Sequence, residues 1–422
     1  MTVKSKRIIS IVLTLVLVAM LVPVAFAASS GSSWTAVDGD VTGDINDIVF
    51  GNNKFFAVTA GGERTSSTDG MTWLGSTYSN TAELYGLAYD GSSPPAHHYV
   101  HFGTIYTEEG EPESIGVWTS GGSSWSAGSV AGTDLALDAN ALLGGVAAGG
   151  GKMVAVGNLG LIIVSTDFGA HWSQPMDTNF ATNSASLNGI VYGDNKFVAV
   201  GDLYNSKAKI ITSADGTTWT SQTSAANSRL ASIAYGNSTY VAVGDAGTIV
   251  TSTDGTNWTA RTSNVSAQLK DVVFGNNGFV AVGSGGTILT SSNGTDWINR
   301  TNTGVTNKTL KAVAYGTGRG FVAGGEDGTL LISGLGVVYN GNGNNSGSVP
   351  TDLTFRLNGD PATVLGNTGN LEKTGFTFAG WNTKADGTGT DYAAAASLTI
   401  GSDDTILYAK WTANQGGGDN GG

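Results

Sequence analysis

Four stretches of the 422-residue chain gather side chains that could bind or transform a ligand. Residues 103–115 carry Tyr106, Glu108, Glu109, Glu111 and Glu113; 126–140 carry Asp134 and Asp138; 173–185 carry Asp177 and Phe180; 202–208 carry Tyr204. Aromatic faces beside carboxylates suit sugar rings and their hydroxyls, or a basic patch on a protein. Two of these carboxylates standing across a cleft could also hydrolyse a glycoside; sequence alone places no such pair. His97, His98 and His101 invite a zinc reading. On a strand, His97 and His101 would share a face but lie about 13 Å apart, too far for one metal. Aligned with residues 196–201, His101 stands where Ala199 does, so a strand histidine is expected. Asp38, Asp40, Asp44 and Asp47 resemble a calcium loop, yet counting from Asp38 puts Val49 where a glutamate ligand is needed. No cofactor is expected, although the loop stays open to an incidental calcium ion.

The elements that position these stretches are read from residues 235–260, YGNSTYVAVGDAGTIVTSTDGTNWTA. Tyr240–Gly244 and Gly247–Thr251 are short, β-branched and bounded by Gly-Asn and Gly-Asp signals, which is strand composition. In Ser252–Trp258, Asp254 can accept hydrogen bonds from its own turn and Gly255 can take positive φ. The turn and its tryptophan return before Trp73, Trp172, Trp219 and Trp297, with a degenerate copy before Trp125. Each interval holds three further strand signals, and four short strands per unit make a propeller blade. The last unit, 309–333, lacks a fourth strand, while Trp34 opens a fourth strand with no first three. Joined, the ends predict an all-β, seven-bladed propeller closed by the N-terminal strand, which removes exposed edges.

Composition narrows the setting. The chain has 64 glycines, no cysteine and a formal charge of −13. That excludes disulfides, thiolate metal sites and a lipoprotein anchor, and argues against a nucleic-acid partner. Residues 1–27 have the basic start, apolar segment and Ala25-Phe26-Ala27 cleavage site of a secretory signal.

The repeated turn resembles the Asp-box, or BNR, repeat of sialidases and related propellers, over about residues 29–335. The match runs through Asp69, Asp167, Asp215, Asp254 and Asn293, and Trp172 ends the usual spacing S-x-D-x-G-x-x-W; most copies are one residue shorter. The resemblance implies structural turns, since a catalytic site needs different residues converging once. Sialidase chemistry would require an arginine cluster. The repeats offer only Arg64, Arg229, Arg261, Arg300 and Arg319, without the early arginine-Ile/Leu-Pro string. No catalytic residue is therefore expected.

After Gly336 the pattern changes. Lys373–Thr383, Asp386-Gly387-Thr388-Gly389 and Leu407–Trp411 resemble the Listeria–Bacteroides, or internalin B-type B, repeat over 337–412. The resemblance implies a small β-grasp-like spacer or adhesive module on a bacterial surface protein. Residues 413–422 read as a Gly-rich flexible tail.

The chain thus divides into a signal (1–27), a propeller (28–336), a repeat module (337–412) and a tail. The expected function is a secreted, monomeric, non-catalytic binding protein for a glycan or an envelope or extracellular protein. An Asp-box glycoside hydrolase and a propeller scaffold or assembly factor are the alternatives. Because successive strands are antiparallel, the first–second and third–fourth turns share one face, here the first. The second–third loops and the crossings between units share the second face. Length varies on the second face, where the ten candidate binding residues lie.

Overall fold

The computed structural model describes residues 34–39, 41–76, 82–89, 99–106, 112–120, 125–128, 142–175, 185–317, 319–350, 352, 356, 360–401 and 405–414. For 75–76, 82, 101–106, 112–120 and 125–128 it describes the backbone alone. The signal segment and the last eight residues lie outside it.

Regular structure in the described residues is strand and short 3-10 turn. The unit at 230–261 is representative. Leu230–Gly236, Thr239–Gly244, Ile249–Ser252 and Thr259–Arg261 pair antiparallel in chain order. Tyr240, Val241, Ala242 and Val243 are all fully buried, although consecutive strand residues point to opposite faces. A sheet buried on both faces must be sandwiched, and its neighbours are the preceding and following units. Tyr240, Ala242 and Val250 pack with Val198, Val200 and Ile210 of the unit before. Val241, Val243 and Ile249 pack with Leu269, Phe279 and Leu289 of the unit after. Each such Val, Leu, Ile or Phe side chain contributes about 1.5–3 kcal/mol on burial.

The described residues between 34 and 333 form seven sheets of this kind. The sheet at 143–165 has three strands, extended by a single bridge between Val164 and Ser173. The last joins Leu310–Gly316, Gly320–Gly325 and Leu330–Ser333 to Trp34–Val37 from the other end of the chain, with Trp34 opposite Ser333 and Val37 opposite Leu330. Trp34 packs against Val280, Val282 and Ile288 of the sheet before. The first strand of each sheet touches that of the next, and Leu310–Gly316 touches Ile45–Gly51.

Two stretches expected as second-face loops are largely hairpin. Strands Tyr99–Tyr106 and Pro112–Ser120 take up most of 103–115. At 202–208 the strands Lys196–Tyr204 and Lys207–Ser213 continue to a two-residue turn. Its residues Asn205 and Ser206 both have positive φ, the conformation that matches strand twist in tight hairpins.

At 337–413 a mixed sheet follows the order Val337–Asn340, Thr405–Ala413, Phe376–Asn382, Asp391–Tyr392, and its first pair is parallel. Trp381 is fully buried there with Tyr339, Leu407 and Ala409, and its indole N–H donates to the Leu365 carbonyl at 2.8 Å.

Candidate binding face

The first face is built from the tryptophan-linked turns. In the representative unit, Ser252 Oγ donates to Asp254 Oδ1 at 2.9 Å and accepts the Gly255 N–H at 2.9 Å. The N–H groups of Thr256 and Asn257 both donate to Asp254 Oδ1 at 2.8 Å. Trp258 Nε1 donates to the Gly255 carbonyl at 3.0 Å, and Gly255 holds φ +74°. The pattern recurs around Asp69, Asp215 and Asn293. In the longer copy at Asp167, the extra residue Phe168 also takes positive φ. Hydrogen bonds from Asn257 hold Asp254 well below the usual carboxylate range, and Thr218 does the same for Asp215. Burial would raise Asp69 and Asp167, but the turn N–H groups outweigh it and both are lowered. These carboxylates are committed acceptors. Asp254→Ala should lower stability by about 1–2 kcal/mol, read by denaturant unfolding, with ligand binding unchanged. A binding defect at unchanged stability would give the turn another role.

The first strands of these sheets together line a cavity of about 500 Å³. Two residues after the aligned Ile45, Leu84, Leu143, Leu187, Leu230, Leu269 and Leu310 stand Asp47, Gly86, Gly145, Gly189, Ser232, Asp271 and Ala312. Neighbouring first strands approach closely here: a Cβ added at Gly189 would lie 2.9 Å from Ser232 Cα. The two aspartates fasten adjacent sheets. Asp47 accepts the N–H of Ile48 at 2.7 Å and, from the next sheet, that of Leu87 at 2.6 Å. Asp271 accepts from Ser232 Oγ at 2.7 Å, and from the N–H groups of Val272 and Val313 at 2.8 Å each. Burial, then the charge of Asp271, pushes Asp47 up to about 8; burial also raises Asp271.

The second-face end of the cavity is ionic. Lys311 donates to Asp44 at 2.8 Å and to Asn46 Oδ1 at 3.2 Å. Arg229 Nε donates to Asp202 at 3.0 Å, and Asn188 joins Asp202 to the Leu230 carbonyl. Asp44 and Asp47, grouped by sequence as calcium candidates, therefore separate into an ion pair and a strand fastener; Asp40 lies outside the described residues. Among the described residues no three or more His, Cys, Asp or Glu side chains are placed to hold a metal.

Of the ten candidate binding residues, only the Tyr204 side chain is described. It is 39% exposed beside the equally open Leu203, with the Lys209 ammonium 4.9 Å from its ring centre. Tyr106 ends one strand and Glu113 lies in another, both with backbone alone described. Glu108, Glu109, Glu111, Asp134, Asp138, Asp177 and Phe180 lie outside the described residues, as do His97 and His98. His101 lies in strand Tyr99–Tyr106. The fastening aspartates went unread because their partners are distant in sequence; the signal was that aligned first-strand position, where Asp stands in a column otherwise of Gly, Ser and Ala.

Comparison with known proteins agrees with this geometry. Residues 169–307 match the DUF6242 beta propeller domain. Residues 336–410 match the Listeria-Bacteroides repeat domain. The structure resembles YCF48 from Cyanidioschyzon merolae, with a TM-score of 0.52 at 18% identity over 71% of this chain and 98% of that one. It also resembles a GH74 xyloglucanase from Xanthomonas campestris, with a TM-score of 0.55 at 14% identity over 71% of this chain and 53% of that one. At such identities the likeness is one of fold: residues 34–333 have a propeller-like, all-β architecture. An Evansella cellulosilytica protein named "Putative membrane protein" is 36% identical over 83 residues, covering 20% of this chain and 12% of that protein. The chain spans about a tenth of the length of the curated relatives it matches.

Proposed function

We propose that the seven sheets are the blades of an Asp-box-type propeller, closed into a ring by strand Trp34–Val37. We further propose that the protein is exported by residues 1–27 and acts at the cell surface as a non-catalytic binding protein. In this reading a glycan or envelope protein docks on the second face, and the repeat module at 337–412 is a spacer or adhesive element.

The observation that carries this reading is the contrast between the faces. On the first, one turn repeats with its acceptors committed to its own backbone. On the second, ionic side chains rim the axial cavity, and the crossings between sheets leave open pockets. Rigid sheets presenting differing loops are a common basis for recognition. The carboxylates at the axis accept backbone N–H groups at both oxygens, which is a fastening role.

A glycan array, an envelope-protein pull-down and a glycoside-hydrolysis screen on the signal-free chain test the proposal. Saturable binding without product formation is expected. Release of reducing ends would replace this reading with the hydrolase alternative.

A further inference from the structure

Two neighbouring sheets repeat a device on the second face. Arg261 and Arg300 each follow a turn tryptophan, Trp258 or Trp297, by the same spacing. Each donates through Nε to a threonine of the adjoining strand: Arg261 to Thr251 Oγ1 at 2.8 Å and Arg300 to Thr290 Oγ1 at 3.3 Å. Arg300 lines a pocket of about 370 Å³ with Trp34, Asn299, Thr301, Asn302 and Thr306. Arg261 lines another, of about 700 Å³, with Asn227, Ser228, Thr262, Ser263 and Asn264. Both volumes fall in the range of small-molecule sites, about 300–1,000 Å³.

No carboxylate lines either pocket, and no described Asp or Glu pairs with either arginine. Two other cations on this face are neutralised in place, Lys311 by Asp44 and Arg229 by Asp202, whereas Lys207 and Lys270 bond to carboxamides. A cation partly withdrawn from water without a counter-ion is costly, so a retained one calls for an anion. Burial, which pushes the Arg300 guanidinium below its usual value, acts in the same direction. The polar groups beside each arginine are hydroxyls and carboxamides, matched to a ring of hydroxyls, and aliphatic side chains such as Ile288 and Leu331, or Ile249 and Val250, complete the walls; the Arg300 pocket adds the Trp34 indole. Guanidinium is the group best shaped for carboxylate. The two arginines hold equivalent positions on adjacent sheets, an arrangement that matches a polymer whose units repeat.

We propose that the pockets at Arg300 and Arg261 are paired subsites for the carboxylate-bearing sugar units of an acidic glycan, of the hexuronic acid class. The proposal rests on the reading of the second face as the binding face.

The preceding sheet supplies the control substitution. Gln222 occupies the equivalent position there and donates to Thr212 Oγ1 at 2.8 Å, so glutamine keeps the threonine bond and removes the charge. Calorimetric titration of the full chain with an oligogalacturonate should give saturable binding, with none to the neutral oligogalactose. Arg300→Gln and Arg261→Gln should each weaken binding about ten- to hundredfold at unchanged melting temperature, and the double variant should abolish it. Undiminished binding by the double variant, or equal binding of the neutral oligomer, would overturn the proposal. Binding of oligoglutamate in place of oligogalacturonate would overturn the sugar assignment in favour of an acidic peptide. Absence of oligogalacturonate binding, while another ligand docks on the second face, would overturn these subsites and leave the binding-face reading intact.

Discussion

Removal of residues 29–40 should lower the melting temperature on the order of 10 °C. The deletion takes away strand Trp34–Val37 and bares the edge of Leu330–Ser333. Trp34 is 8% exposed and fills a cluster with Val280, Ile288, Phe321 and Leu331, so its loss resembles a large-to-small core substitution, about 3–5 kcal/mol. An unpaired edge strand also invites association. Calorimetry with light scattering reads both effects. A truncated chain that melts cooperatively at the original temperature would show that this strand does not hold the last sheet.

The second large effect is a dependence of stability on pH in an unusual direction. Asp47 takes up its proton at about 8 in the folded chain, whereas an unfolded aspartate does so near 3.8. Between these values the folded state binds more protons, so stability is highest near pH 4–5 and falls as pH rises toward 8. Asp271 is shifted in the same direction. The effect should be on the order of 3 kcal/mol, smaller than full desolvation would give because the aspartates face a cavity. Melting temperature should therefore be higher at pH 5 than at pH 8, and Asp47→Asn should flatten that slope. Below pH 4 the sign reverses: Asp215 and Asp254, depressed by their turn hydrogen bonds, contribute stability that is lost as they are protonated. A profile that rises steadily from pH 5 to 8 would contradict the assignment at Asp47.

The contrast between Asp254 and Asp47 explains what could be read in advance. The partners of the Asp254 carboxylate all lie within three residues of it, so Ser-x-Asp-Gly and a tryptophan sufficed to place the turn. Repetition of that turn, with the mismatched chain ends, also led to the sheets and to the pairing of Trp34–Val37 with Leu330–Ser333. Asp47 takes its decisive partner from Leu87, forty residues on, and nothing local distinguishes it from the acidic neighbours with which it was grouped. At 202–208 the variable length was legible, but a hairpin carried by Asn205 and Ser206 looks in sequence like a polar loop. Arg261 and Arg300 were visible only as scattered arginines, because their lack of a counter-ion is a property of packing. The candidate binding residues were read from loop length and composition; Tyr204 alone has a described side chain, half-open beside Lys209.

The central claim is that the two faces divide their work, the first holding the blades together and the second taking the ligand. Hydrogen–deuterium exchange of the signal-free chain, with and without its bound ligand, tests this most directly. The account predicts slowed exchange in the crossings 262–268 and 299–308 and around the cavity rim, with the turns at 67–73, 213–219, 252–258 and 291–297 unchanged. Protection confined to those turns, with the second-face segments exchanging as before, would contradict it.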